Sequence, residues 1–153
     1  VFTSLAVIPY LSGNRCLDVG SGAGVPGIIL AMAMPELHWT LLDSNGKKTR
    51  FLNQVRIELK LGNVEVVQQR MEEFSGDRLF STIISRGFGP LPVFYGMSVK
   101  CLSDNGVILA IKSGKPQDEL NGASSLTGSL VFHTLTVPGL AQPRGLVEMR
   151  PGN

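Results

Sequence analysis

The hydrophobic positions of this chain fall into short apolar runs that alternate with segments of helical spacing. Ile83-Ile84 and Val107–Ile111 are apolar at successive positions, which is typical of strands buried on both faces of a parallel sheet. The pattern predicts seven strands, at or near 15–20, 38–43, 63–68, 80–85, 107–112, 130–137 and 145–150. The last two are joined by a loop over 138–145, and we expect them to form an antiparallel hairpin at one edge of the sheet.

Apolar residues at helical spacing predict the helices that cover this sheet. They run over roughly 26–34, 46–60, 92–103 and 115–125, with a short amphipathic helix within 1–12. Strands that alternate with helices predict an α/β fold, with a mostly parallel seven-stranded sheet covered by helices on both faces. The length of 153 residues predicts a single domain over 1–153.

Two local details accompany these elements. The helix over 46–60 is expected to turn four apolar residues toward the sheet, namely Phe51, Leu52, Val55 and Leu59. We expect Gly62 to cap that helix, and Asn105-Gly106 to form a turn into the strand over 107–112.

The most informative stretch is Leu17-Asp18-Val19-Gly20-Ser21-Gly22-Ala23-Gly24, which continues through Val25-Pro26-Gly27. It indicates a buried strand that ends near an acid, then a glycine-rich turn, then a helix. Glycines let the backbone bend sharply and lie against a ligand, and the helix N-terminus presents free N–H groups above the turn. Parallel α/β sheets bind ligands at the carboxyl ends of their strands, and this turn lies at such an end.

The glycine turn by itself leaves three functions open. Residues 22–27 match G-x-G-x-x-G, and Asp43 stands near the distance expected of a ribose-binding acid, as in an NAD(P)-dependent oxidoreductase. Against this, the sequence offers no Tyr-x-x-x-Lys pair, no well-placed histidine and no second domain for a substrate. A non-catalytic nucleotide-sensing or RNA-binding module with the same fold is the third possibility.

The S-adenosylmethionine site of Rossmann-like methyltransferases is the better template. It requires an acid shortly before the first glycine of G-x-G-x-G, and Asp18 before Gly20 meets that requirement. We expect Asp18 to organise the loop and to offset the positive charge of the cofactor, directly or through water. Asp43 is expected to accept both ribose hydroxyls, although it could instead cap the helix that follows.

The amino-acid composition adds little to the choice among these functions. A hydrophobic content of 43% with 17% charged residues is ordinary for a globular protein, and a net charge of +2 permits an RNA partner without demonstrating one. We interpret Cys16 and Cys101 as buried free thiols in a reducing compartment, and His38 and His133 as structural. No metal site and no membrane segment are expected, and we predict a cytoplasmic protein.

Six stretches together make the sequence resemble a known family. They are LDVGSGAGVPG at 17–27, LLDSNGKKTRFL at 41–52, ELKLG at 58–62, RMEEF at 70–74, ISRGF at 84–88 and AIKSG at 110–114. On these the chain resembles the bacterial ribosomal RNA small subunit methyltransferase G family, also called glucose-inhibited division protein B. The resemblance covers essentially the whole chain.

The resemblance implies a class I S-adenosylmethionine-dependent methyltransferase that methylates guanine N7 in 16S ribosomal RNA. It implies that Gly20 and Val25 contact the cofactor, and that Met71 and Glu72 frame its adenine. The complete set of predicted cofactor-binding residues is Asp18, Gly20, Gly22, Gly24, Val25, Asp43, Ser44, Met71, Glu72 and Arg86.

Three basic residues are predicted to position the RNA: Arg86, Lys112 and Arg144. No residue is predicted to act as an acid or a base, because guanine N7 has a lone pair and no proton to remove. The resemblance implies 16S ribosomal RNA or the small ribosomal subunit as partner, and we expect a monomer. The family carries a helical N-terminal segment with residues near the active site, and we expect that segment to be missing here.

Overall fold

A computed structural model describes residues 2–74, 79–139 and 143–152 of the chain. Within these residues seven strands form one sheet, in the spatial order β3-β2-β1-β4-β5-β7-β6. The strands are β1 Arg15–Val19, β2 His38–Asp43, β3 Val64–Gln68, β4 Phe80–Arg86, β5 Leu102–Lys112, β6 Ser129–Leu135 and β7 Arg144–Arg150. The first five are parallel, and β7 is antiparallel to both β5 and β6, which confirms the predicted edge hairpin.

Helices cover both faces of the sheet, as predicted. They are α1 Phe2–Ala6, α2 Gly27–Ala33, α3 Gly46–Glu58, α4 Leu91–Ser98 and α5 Gln117–Ser124. Short 3₁₀ turns occupy Ile8–Tyr10, Met71–Glu73 and Val99–Cys101.

The sheet separates two hydrophobic cores. On one face Ile28 of α2 and Leu52 of α3 pack with Trp39 of β2. On the other face Phe94 of α4 and Leu120 of α5 belong to the second core. Both faces of the central strands β1, β2 and β4 are therefore buried, which is why these strands are apolar at successive positions, whereas the edge strand β3 is only partly buried.

The strand order places a topological switch point between β1 and β4. From β1 the chain moves outward through β2 to β3, then returns to pair β4 with the other side of β1. The connections that leave β1 and β4 therefore diverge, which opens a crevice at the carboxyl ends of these strands. Val19 and Arg86 are the last residues of the two strands.

The segment between α4 and β5 differs from the prediction. The helix predicted over 92–103 ends at Ser98, and Asn105-Gly106 lies inside β5 rather than in a turn before the strand. Leu102 pairs with Phe80 and Val107 with Thr82, so β5 carries three more residues than β4 over this stretch. Asn105 lies within this stretch in a left-handed conformation at φ 64°, which asparagine tolerates better than most residues.

The end of α3 also differs from the prediction. Leu52 is buried, but Phe51 and Leu59 are 52% and 47% exposed. Phe51 is rotated by about 100° from Leu52 around the helix, and Leu59 lies beyond the last helical residue. The left-handed residue that ends the helix is Lys60, at φ 54°, and not Gly62.

One predicted loop lies only partly within the described residues. Residues 140–142 of the predicted loop over 138–145 lie outside the described residues.

Of Gly106 and Gly62, Gly106 should tolerate substitution less well. A methyl group on Gly106 would stand 2.6 Å from Leu102 Cδ1 and 2.9 Å from the carbonyl oxygen of Ser103. Gly106→Ala should therefore lower the free energy of unfolding by about 1–3 kcal/mol in denaturant titrations. The control is Gly62→Ala, whose methyl group would meet nothing within 4 Å and should change stability by less than about 0.5 kcal/mol. Equal effects would contradict the bulge geometry.

Candidate cofactor and substrate site

The glycine turn after β1 is held by backbone contacts to β2. Gly20 N and Ser21 N both donate to the carbonyl oxygen of Leu42, at 2.7 and 3.2 Å. Gly20, Gly22 and Gly24 have φ values of 73°, 47° and 84°. These lie in the left-handed region that favours glycine, so side chains at these positions would strain the turn.

Asp18 lies beneath this turn and braces it. Its side chain is 1% exposed, and Oδ2 accepts a hydrogen bond of 2.9 Å from Gly27 N, the first amide of α2. Ser21 Oγ donates to the backbone carbonyl of Asp18 at 3.0 Å. Burial raises the pKa of the Asp18 carboxyl to about 7, and Oδ1 has no hydrogen-bond partner among the described residues. Asp18 therefore supports the turn from inside the protein.

Gly27 is required by this packing, a role that the sequence pattern did not reveal. A methyl group there would stand 2.6 Å from Asp18 Oδ2 and would collide with Leu41 Cδ2. The absence of a side chain lets the start of α2 approach β1 and β2 closely enough for the Asp18 hydrogen bond.

Asp43, the second acid, links the turn to the start of α3. Its Oδ2 accepts from Gly22 N and its Oδ1 from Asn45 N, both at 2.9 Å. The cap of α3 is Asn45, whose Oδ1 accepts from Lys47 N and Lys48 N, so the capping role considered for Asp43 belongs to Asn45. A carboxylate has about four acceptor sites, so Asp43 retains capacity for a ligand.

A cavity opens above these residues, at the carboxyl ends of β1, β2 and β4. Its volume is about 610 Å³, within the usual range of small-molecule sites. Of the predicted cofactor-binding residues, six border it: Gly20, Asp43, Ser44, Met71, Glu72 and Arg86. Four do not: Asp18, Gly22, Gly24 and Val25.

Apolar side chains that the sequence analysis did not select form another part of the wall. Phe88 follows β4, and Val93 and Met97 lie one turn apart on α4. Val93 is 47% exposed although it is large and apolar. The sequence signal for this wall was the pair Val93 and Met97, two apolar residues four positions apart that lie outside the buried face of α4.

A second cavity of about 330 Å³ adjoins the first. Arg86 and Gly87 border both cavities. The full lining of the second is Thr3, Ser4, Val25, Arg86, Gly87, Ile111, Lys112, Ser113 and Arg144. The fold thus brings the three predicted RNA-positioning residues to one place, although they come from β4, β5 and β7.

Lys112 is already engaged in contacts within the protein. Its Nζ donates to the carbonyl oxygen of Gly89 and pairs with Glu119 Oε1, both at 3.0 Å. Glu119 Oε1 also accepts from Leu91 N at the start of α4. Lys112 therefore braces the turn after Arg86. The side chain of Arg86 is exposed and makes no hydrogen bond or ion pair with the described part of the chain.

Comparisons with known proteins agree with this geometry. The sequence model of the family described as rRNA small subunit methyltransferase G matches residues 1–147. The chain belongs to this family. A relative from Nitrosococcus oceani, named ribosomal RNA small subunit methyltransferase G, is 45% identical over 151 residues, which are 99% of this chain and 71% of the relative. Of the three functions that the glycine turn left open, the family supports the methyltransferase.

Solved structures place the family member in the class I methyltransferase fold. A predicted O-methyltransferase from Agrobacterium tumefaciens, protein Atu636, superposes with a TM-score of 0.76 at 19% identity, over 97% of this chain and 79% of that one. A complex of DhpI with SAH superposes with a TM-score of 0.70 at 16% identity, over 98% and 84% of the two chains. At these identities the likeness concerns the fold alone.

The described residues contain no helix with the length and apolar character needed to span a bilayer, and no group of three or more potential metal ligands.

The raised pKa of Asp18 predicts a pH-dependent stability. The folded state holds a proton on this carboxyl more tightly than the unfolded chain, whose value is near 3.8. The contribution of Asp18 to the free energy of unfolding should therefore fall from about pH 4 to about pH 7 and stay constant above. Asp18→Asn should remove that slope because an amide does not titrate in this pH range, while its oxygen can still accept from Gly27 N. Urea titrations between pH 4 and 8 measure the free energy of unfolding and therefore its slope with pH.

Asp104→Asn provides the control for this experiment, since Asp104 is exposed. If the Asp18 and Asp104 variants retain the same pH slope as the parent chain, a proton on buried Asp18 does not contribute to stability.

Proposed function

We propose that this chain transfers a methyl group from S-adenosylmethionine to N7 of one specific guanine in the 16S ribosomal RNA of the small subunit. The observation that carries the proposal is a pair of adjoining cavities in a member of the methyltransferase G family. Asp43, which we assign to the ribose, borders one cavity, and the cationic side chains that we assign to RNA border the other. They meet at Arg86 and Gly87, where the two reactants would face each other.

The residues around the larger cavity fit the cofactor. The free acceptor sites of Asp43 suit two ribose hydroxyls, and the buried side chain of Met71 offers an apolar surface for adenine. Glu72 and Asp43 supply negative charge to a molecule that carries a sulfonium and an ammonium group. When bound, S-adenosylmethionine supplies an electrophilic methyl group on that sulfonium.

The chain needs only to position the two reactants, because the reaction requires no acid or base from it. Guanine N7 has an in-plane lone pair and no proton, so its attack on a methyl group needs no general base. Neither cysteine is suited to act as a nucleophile: both are buried, and burial raises the pKa of Cys16 to about 12. We assign Arg86 to contacts with the RNA, while Lys112 acts through the turn that it braces.

The cellular location and the assembly state that we propose follow from the substrate. The relatives are bacterial, ribosomal RNA in bacteria is modified in the cytoplasm, and nothing in this reaction requires a second copy of the chain. We therefore propose a cytoplasmic monomer whose described residues form one methyltransferase domain.

The direct test uses small ribosomal subunits that lack the modification. They are incubated with the chain and with S-adenosylmethionine labelled in its methyl group, and the RNA is then digested to nucleosides. Label should appear in N7-methylguanosine from a single site. Label in another nucleoside would contradict the proposed position of methylation, and cofactor binding without any transfer would contradict the catalytic role of this chain.

Asp43→Asn should weaken the binding of S-adenosylhomocysteine about ten- to a hundredfold, the range for losing a hydrogen bond to a charged group. The substitution replaces one carboxylate oxygen by an amide that donates, so the ribose hydroxyls lose acceptors. Isothermal titration calorimetry measures the change. The matched control, Asp104→Asn, removes an exposed carboxyl far from the cavity lining and should bind as the parent chain does. Unchanged affinity in the Asp43 variant would refute the ribose assignment.

A further inference from the structure

Ser4 of α1 has a buried hydroxyl group that the fold does not use. The residue is 1% exposed, and its Oγ finds no hydrogen-bond partner among the described residues. Burying a hydroxyl group without a partner opposes folding, so such a group calls for an explanation. Ser4 also borders the second cavity, beside Arg86 and Arg144.

The composition of the second cavity suits a nucleobase. Val25 and Ile111 supply apolar surface, against which a flat ring can pack. Thr3, Ser4 and Ser113 add hydroxyl groups around this cavity, which suit hydrogen bonds to the edges of a base. Proteins that recognise unstacked bases combine apolar or aromatic packing with hydrogen bonds to base edges in this way. A volume of about 330 Å³ is small for a whole cofactor but sufficient for one base.

We propose that Ser4 Oγ donates a hydrogen bond to O6 of the target guanine and thereby holds N7 toward the larger cavity. The proposal rests on the proposed function. O6 is an acceptor next to N7 on the same edge of guanine, so a donor that binds O6 also orients N7. The serine hydroxyl can rotate among its staggered positions, and leaving its present one breaks no hydrogen bond. The role of Ser4 is to bind substrate, without transfer of a proton.

The chain provides a matched control in Ser98. Its Oγ is equally buried and also lacks a partner in the described part of the chain, but Ser98 borders neither cavity. Ser4→Ala and Ser98→Ala thus remove the same group from similar burial, and only the first removes it from the predicted base site. Neither variant should unfold at a lower temperature than the parent chain, since neither hydroxyl is hydrogen-bonded.

The experiment measures methylation of unmodified small subunits and binding of S-adenosylhomocysteine for the parent chain and both variants. Ser4→Ala should raise KM for the subunit about three- to tenfold, the effect expected of one neutral hydrogen bond. Its affinity for S-adenosylhomocysteine should equal that of the parent. Ser98→Ala should change neither quantity. A normal KM in the Ser4 variant, or an equal rise in both variants, would overturn the assignment.

A second measurement tests the contacted atom. Subunits that carry 6-thioguanosine at the target position replace O6 by a weaker acceptor. The parent chain should lose more affinity for this substrate than Ser4→Ala does, because the variant no longer makes the contact. Equal losses would refute the contact to O6 and leave the proposed function standing. Failure of the parent chain to form N7-methylguanosine would instead refute the proposed function, and this inference with it.

Discussion

The hydrogen bond from Gly27 N to the buried carboxylate of Asp18 joins the end of β1 to the first amide of α2. This contact closes the glycine turn at its base. It needs a glycine at position 27, because any side chain there would occupy the space of the carboxylate. It also requires a carboxyl group inside the protein, with the raised pKa that burial imposes. The geometry of the cavity above the turn depends on this internal brace.

The two acids of the site have separate tasks because they lie at different depths. Asp18 is fully enclosed, and its carboxylate accepts a hydrogen bond from the first amide of α2. Asp43 is 8% exposed, receives one backbone hydrogen bond from the turn and one from the start of α3, and faces the cavity with its remaining acceptor sites. One acid thus shapes the site, and the other is available to a ligand.

The turn after β4 joins the two cavities of the site. Arg86 and Gly87 border both cavities, and the contact of Lys112 with Gly89 holds the turn against β5. Glu119 pairs with Lys112 and also accepts from the start of α4, so the same network positions the helix that carries Val93 and Met97. Changes in this network should therefore alter both cavities together.

The sequence by itself determined the seven strands, the glycine turn and the presence of an acid at or near the end of each of the first two strands. Strands buried on both faces must be apolar at successive positions, and a sharp turn requires glycine, so both leave a local pattern. Only the tertiary structure decided that Asp18 points beneath the turn, that Asn105-Gly106 lies in a bulge of β5, and that Ser4 and Arg144 border one cavity. These features depend on strand order and on contacts between distant segments, which local patterns do not encode.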